Sequence, residues 1–323
     1  METPKGFRTY LFEQSENKRK IEKKLLDLFL GRGYLEIIPP MIEFYETLSV
    51  APTDTSLNQV FKFTDRHTGK IIALRPDITP QVARTVSLHM KNLPKPIRLC
   101  YCGNVFRHAE PRSGGRQEMT QVGVELIGEK GAEADAEIIS IAVDAMKAAG
   151  FEDFKMVIGQ VEFFKGIISC AGLKPGDEEE VKKIIQKKDL STLSAFLTEK
   201  GVSKGASERL YELPSLIGGL DVVDRASRMS GDTVSKSALE NLKDVVRILK
   251  SRNLEENILI DLGEVRGLDY YTGICFEGFI KGIGREVCGG GRYDSLLASY
   301  GEASPATGFA IEVDSLLEKI EST

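Results

Sequence analysis

A change of rhythm constrains this chain most. From about residue 170 to 253 every regular segment reads as helix, while the segments on either side read mostly as strands. Asp177 predicts a cap for one helix, with Glu178 to Glu180 at its start and Lys187 and Lys188 at its end, as the helix dipole favours. Ser191 opens a second helix, closed by Gly201, and Ser237 to Lys250 carries Leu239, Leu242, Val246 and Leu249 on one face. Strand character returns at Asn257 to Gly263. The chain therefore reads as an α+β core, residues 1–168 and 254–323, interrupted by an all-helical module over 169–253.

The core follows from local signals. Ser15 predicts a cap for a helix over Glu16 to Leu30, with Ile21, Leu25, Leu28 and Phe29 on one face and Gly31 and Gly33 as the stop. Tyr34 to Ile38 reads as a strand closed by Pro39-Pro40. Gln59 to Thr64 and Lys70 to Leu74 flank a turn at Asp65 to Gly69. Thr79 as N-cap and Pro80 in the first turn predict a helix to about Met90. Ile97 to Cys102, Met119 to Ile127, Asp153 to Gly159 and Thr307 to Val313 read as strands, and Ala132 to Ala149 as an amphipathic helix.

Composition excludes several classes. A net charge of −5 over 323 residues gives no support to a nucleic-acid binder, whose affinity rests on phosphate neutralisation. His67, His89 and His108 lack paired spacing, and the five Cys lack zinc or thioredoxin spacing, so no metal is expected. An odd cysteine count suits a reducing cytosol. The start lacks a secretory apolar run, and no run is long enough to span a bilayer, so a cytoplasmic protein without a membrane partner is expected.

Three stretches carry chemistry. On the Met119 to Ile127 strand, Gln121, Gly123 and Glu125 alternate, which puts Gln121 and Glu125 on one face. Two such groups are costly if buried unpaired. A ligand pocket or an internal pairing with Arg107 resolves that cost. Asp77, in Leu74-Arg75-Pro76-Asp77-Ile78-Thr79-Pro80, is either a turn residue or a carboxylate aimed at a ligand ammonium. Glu264 to Glu277 places Arg266, Tyr270 and Tyr271 between Gly267 and Gly273. It reads either as a polar hairpin with tyrosines in the core or as a loop presenting a guanidinium and two phenols to a small zwitterion.

At Arg266 to Tyr271 the chain resembles the histidyl-tRNA synthetases and their paralogues. The resemblance extends to the strand–loop–strand run around Arg107 and Arg116, to Cys288-Gly289-Gly290-Gly291-Arg292-Tyr293-Asp294 and to Gly308-Phe309-Ala310. It implies the class II aminoacyl-tRNA synthetase core, a mixed, mainly antiparallel sheet flanked by helices, dimeric through its first motif. It also implies a histidine pocket. Asp77, Thr79 and Gln121 would hold the α-ammonium, Glu125 and Tyr271 the imidazole nitrogens, and Arg107 and Arg266 the carboxylate side, with Tyr270 beside them.

The resemblance breaks at the nucleotide end. Glu312 stands where the family has a small residue, Ser315 where it has an arginine, and Met119 where it has an aromatic. The chain also stops where those synthetases continue into an anticodon-binding domain. In these respects it is similar to the regulatory subunits of ATP phosphoribosyltransferase. That likeness implies no activity alone, no cofactor, no tRNA, free histidine as ligand, and a short catalytic subunit as partner in a hetero-octamer built on homodimers. A divergent enzyme forming histidyl-adenylate is the alternative.

Overall fold

The structure, a computed structural model, describes residues 2–50, 57–108, 115–263 and 270–321. The strands are β1 (Leu35–Glu36), β2 (Ile42–Phe44), β3 (Lys62–Thr64), β4 (Ile71–Leu74), β5 (Ile97–Phe106), β6 (Glu118–Ile127), β7 (Phe154–Gln160), β8 (Ile217–Gly218), β9 (Ile258–Asp261), β10 (Ile274–Ile280), β11 (Cys288–Arg292) and β12 (Ala306–Glu312). The helices are α1 (Phe12–Gly31), α2 (Tyr45–Ser49), α3 (Thr79–His89), α4 (Ala132–Ala148), α5 (Val161–Ser169), α6 (Pro175–Gln186), α7 (Leu190–Glu199), α8 (Lys204–Glu212), α9 (Asp221–Met229), α10 (Thr233–Ser251) and α11 (Val313–Glu321).

Among the described residues one large sheet has the order β1-β5-β6-β12-β11-β10-β7-β9-β8, and a small sheet the order β2-β4-β3. Only β1–β5 and β7–β9 pair in parallel. This is the mixed, mainly antiparallel sheet with flanking helices that the resemblance implies. Its two faces differ because side chains alternate along each strand. Val122, Val124 and Leu126 of β6, Ile158 of β7, Phe276 of β10 and Phe309 and Ile311 of β12 turn to one side, into a core shared with α1, α4, α5 and α10. On the other side a smaller cluster joins Ile78, Val82 and Val86 of the α3 segment to Tyr101, Tyr270 and Tyr293.

Several local expectations are corrected. α1 starts at Phe12 with no side-chain cap, so Ser15 lies within its first turn. Lys174 precedes α6, leaving Asp177 in the first turn as a dipole partner rather than a cap. Asp189, not Ser191, caps α7 through the amide of Thr192, and Asp232 caps α10 through the amide of Ser235. The span expected to be all helix contains β8, whose pairing with β9 extends the large sheet. The glycine run at 288–292 is a strand inside the sheet, with Gly289 facing Ala310 and Gly290 facing Phe309.

Candidate functional site

Because Val122, Val124 and Leu126 face the helices, Gln121, Gly123 and Glu125 face the opposite side. There Gln121 and Glu125 border a cleft of about 300 Å³ that is also lined by Asp77, Thr79, Arg107, Tyr270, Tyr271 and Tyr293. The structure thus brings together the residues singled out above, save Arg266. That residue, with the rest of 264–269, lies outside the described residues.

Glu125 is the centre of the site. It is 1% exposed, and its Oε1 accepts from the Thr79 hydroxyl at 2.6 Å and the Tyr101 hydroxyl at 3.2 Å. Its Oε2 accepts from the Tyr293 hydroxyl. Among the described residues no cation pairs with it. Burial therefore pushes its pKa up to about 8, against the opposing pull of the Thr79 and Tyr293 hydroxyls. Burial likewise raises Tyr101, Tyr270 and Tyr293, so these phenols stay protonated donors. The ring of Tyr293 stacks on Tyr270 at 5.4 Å between centroids.

Glycines make room for this arrangement. Gly123 lies opposite Tyr101 on the β5–β6 ladder, and a Cβ there would lie 2.6 Å from the Tyr101 hydroxyl. Gly308 lies opposite Glu125 on the β6–β12 ladder, where a Cβ would overlap the carboxylate.

The cap expected from Thr79 does not form: α3 begins at Thr79, after Ile78, with no side-chain cap. Asp77 Oδ1 accepts from the amides of Ile78 at 2.7 Å and Thr79 at 3.4 Å, which frees the Thr79 hydroxyl for Glu125. Asp77 is thus both the turn residue and a cleft-lining carboxylate. The loop that carries it is fixed by Arg75, whose guanidinium donates to the carbonyls of Asn104 and Pro39, each at 2.8 Å. Arg107 donates from Nε to the Pro76 carbonyl at 2.8 Å, rather than to Gln121 or Glu125. The internal pairing considered from sequence is therefore not the one formed. Gln121 Oε1 is buried with no hydrogen-bond partner among the described residues, an acceptor that suits a ligand donor.

At the far end of the cleft Glu312 lines the wall and accepts from Arg116 Nη1 at 3.2 Å. Ser315 is fully buried and takes the Arg285 guanidinium at 3.1 Å. Arg292, of the Gly-Gly-Arg-Tyr-Asp run, is structural: it bridges to Asp135 of α4 at 2.8 Å and donates to the Glu129 carbonyl at 3.1 Å. Among the described residues no group of three His, Cys, Asp or Glu is placed to hold a metal, and no helix is long and apolar enough to cross a membrane.

Comparison with known proteins completes the description. The family model of histidyl-tRNA synthetase matches residues 6–316. The ATP phosphoribosyltransferase regulatory subunit of Geobacter sulfurreducens is 43% identical over 318 residues, covering 98% of this chain and 73% of that protein. The regulatory subunit of Thermoanaerobacter sp. is also 43% identical, over 96% of this chain and 80% of its own. The chain belongs to the ATP phosphoribosyltransferase regulatory subunit family. A crystal structure described as an ATP phosphoribosyltransferase regulatory subunit/histidyl-tRNA synthetase from Bacillus halodurans superimposes with a TM-score of 0.92 at 32% identity, over 98% of this chain and 82% of that one.

In this member of the regulatory-subunit family, sequence reasoning missed Tyr101 and Tyr293, whose hydroxyls hold the Glu125 carboxyl. A signal existed for each. Gly123, between Gln121 and Glu125, marks the place where a cross-strand ring needs space. Tyr293 sits two residues after Gly291, in the glycine run that carries part of the resemblance.

Proposed function

We propose that this chain is the histidine-responsive regulatory subunit of an ATP phosphoribosyltransferase, inactive alone and required by a short catalytic subunit. The names of its relatives support the partner. The cleft supports the ligand. The observation that carries the reading is Glu125, a buried carboxyl held by three hydroxyls at the end of a cleft that also offers the unmet Gln121 acceptor and Asp77.

Imidazole presents nitrogens on opposite edges, which Glu125 and Tyr271 would bracket. Asp77 and Gln121 would accept from the α-ammonium, with Thr79 acting through Glu125. Arg107, and Arg266 from the loop, would meet the carboxylate. Tyr270 would hold Tyr293 in place by stacking. Histidine then acts by linkage: it shifts the complex only as far as its affinity differs between the active and inhibited arrangements.

A homodimer is the base of the assembly in this reading. The small sheet supports it. The register puts Ile42, Phe44, Phe63, Ile72 and Leu74 on one face, and Ile42, Phe44 and Phe63 are 48%, 42% and 48% exposed. Leu35, Ile38 and Met41, earlier in the chain, are exposed as well. A contiguous patch of this kind marks an association site, and a second copy covers it here. Two regulatory dimers with four catalytic chains would build the hetero-octamer, in the cytoplasm and without tRNA.

The test is co-purification with the short transferase chain, assaying product with and without this protein and with added histidine. Stimulation by this chain and inhibition by histidine are the expected outcomes. Histidine-dependent ATP–pyrophosphate exchange by the chain alone would instead indicate an adenylate-forming enzyme.

A further inference from the structure

Two arginines from distant parts of the chain end on the carboxylates of one short segment. Arg116 precedes β6, and Arg285 lies between β10 and β11. Arg116 pairs with Glu312 at 3.2 Å and with Glu318. Glu318 also takes Arg285 at 2.6 Å, and Arg285 donates to Ser315 at 3.1 Å. Two guanidiniums and two carboxylates thus neutralise one another where β12 passes into α11. Glu312 and Arg285 both line the cleft, as does Arg107.

The floor between these groups has almost no side chains. Gly123 pairs with Ala310, and Ala310 with Gly289, across β6, β12 and β11. A Cβ at Gly289 would meet nothing within 4 Å, so the floor is open to the cleft there. Without its carboxylates this end would present Arg107, Arg116 and Arg285 around a bare backbone floor, a setting for a compact polyanion. The other acids lining the cleft away from Glu125 are Asp261, Glu277 and Glu286, and Lys188, which also lines it, pairs with Asp261 at 3.7 Å.

We infer that Glu312 and Glu318 serve as a built-in anion, holding Arg116 and Arg285 so that this end of the cleft rejects polyphosphates and leaves the Glu125 end to a zwitterion. Two carboxylates already in contact need no ordering from solution, whereas a free polyanion must displace both and meet their charge. The inference goes beyond histidine recognition and is tested without it.

The probe is inorganic pyrophosphate, titrated calorimetrically into the full chain at low salt. Wild type is expected to show no saturable binding in the millimolar range. A Glu312→Ala/Glu318→Gln double variant is expected to bind at least about tenfold more tightly. The gain should disappear when Arg285→Ala is added, and should weaken with salt. Glu318→Gln alone, at a side chain 43% exposed, is expected to fold and show a smaller gain in the same direction. Wild-type binding as tight as that of the variants would overturn the inference. So would a folded Glu318→Gln variant, judged by a cooperative melt, with no gain. Histidine affinity, measured separately, reports on the proposed function whichever way pyrophosphate behaves.

Discussion

Gly308 stands directly across the sheet ladder from Glu125, and a methyl group on it would lie 1.8 Å from Oε2. The carboxyl can lie against the floor of the cleft only because that position has no side chain. Gly308→Ala would push Oε2 away from Tyr293. Calorimetric titration should show histidine affinity falling at least tenfold, about 1.4 kcal/mol. Overpacking should cost ~1–3 kcal/mol of stability in denaturant unfolding. A variant with unchanged affinity would mean that the ligand does not depend on this carboxyl.

The pH profile of binding follows from two proton counts. Glu125 keeps its proton up to about pH 8, while free imidazole loses its own near ~6.5. In the complex the pair shares one proton. Affinity should be flat between those values, fall below because the ligand must shed a proton, and fall above because Glu125 must regain one. Asp77 adds to the rise in the Glu125 pKa, and the hydroxyls of Thr79, Tyr293 and Tyr101 oppose it. Glu125→Gln should remove the upper limb. In the unliganded protein, a carboxyl raised in this way contributes stability that is complete below the ordinary carboxyl range. That contribution is lost as pH climbs toward 8. Melting curves of wild type and Glu125→Gln across pH 5 to 9 check the sign.

Removing the Tyr293 hydroxyl tests the cage itself. Tyr293→Phe deletes a donor to a fully buried acceptor, an expected cost of ~1–3 kcal/mol. Because that donor lowers the Glu125 pKa, its loss should also move the upper limb of the binding profile to higher pH. A purely structural tyrosine would change the melt and leave the limb where it was.

Arg292 and Asp135 form a pair with side chains 8% and 1% exposed. Burial raises the Asp135 pKa and the Arg292 charge opposes it. Arg292→Met would leave a buried carboxyl without its cation, an expected loss of ~3–5 kcal/mol read from denaturant unfolding. Asp135→Asn in the same background should recover part of it, since the charge no longer needs a partner.

The apolar face of the small sheet gives a fifth handle. Phe44→Asp or Phe63→Asp should shift sedimentation toward the monomer with little change in secondary structure, because both side chains are exposed within one chain. A wild type that is monomeric at micromolar concentration would remove the homodimer from the assembly.

Much of the site was legible because it rests on period-two spacing: Gln121 and Glu125 had to share a face. The break in rhythm near residue 170 was legible for the same kind of reason. What escaped depends on contacts far apart in sequence. β8 is only Ile217 and Gly218, too short to show alternation, and it exists because β9 offers it an edge. The failure of Thr79 to cap α3 escaped because a threonine before Pro80 reads as a cap, and only the distant Glu125 draws its hydroxyl away. Glu318 reads as an ordinary helix-surface acid until Arg116 and Arg285 arrive from elsewhere.

The pairing of Ile217 with Asp261 has a mechanical implication. It stitches the helix-rich span into the edge of the large sheet, next to a carboxylate that borders the cleft. From Gly159 the rungs run through Cys275, Gly291, Gly308, Glu125 and Leu99 to Leu35 on the apolar flank. A torque applied at either edge is therefore borne by the backbone under Glu125 and the floor of the cleft.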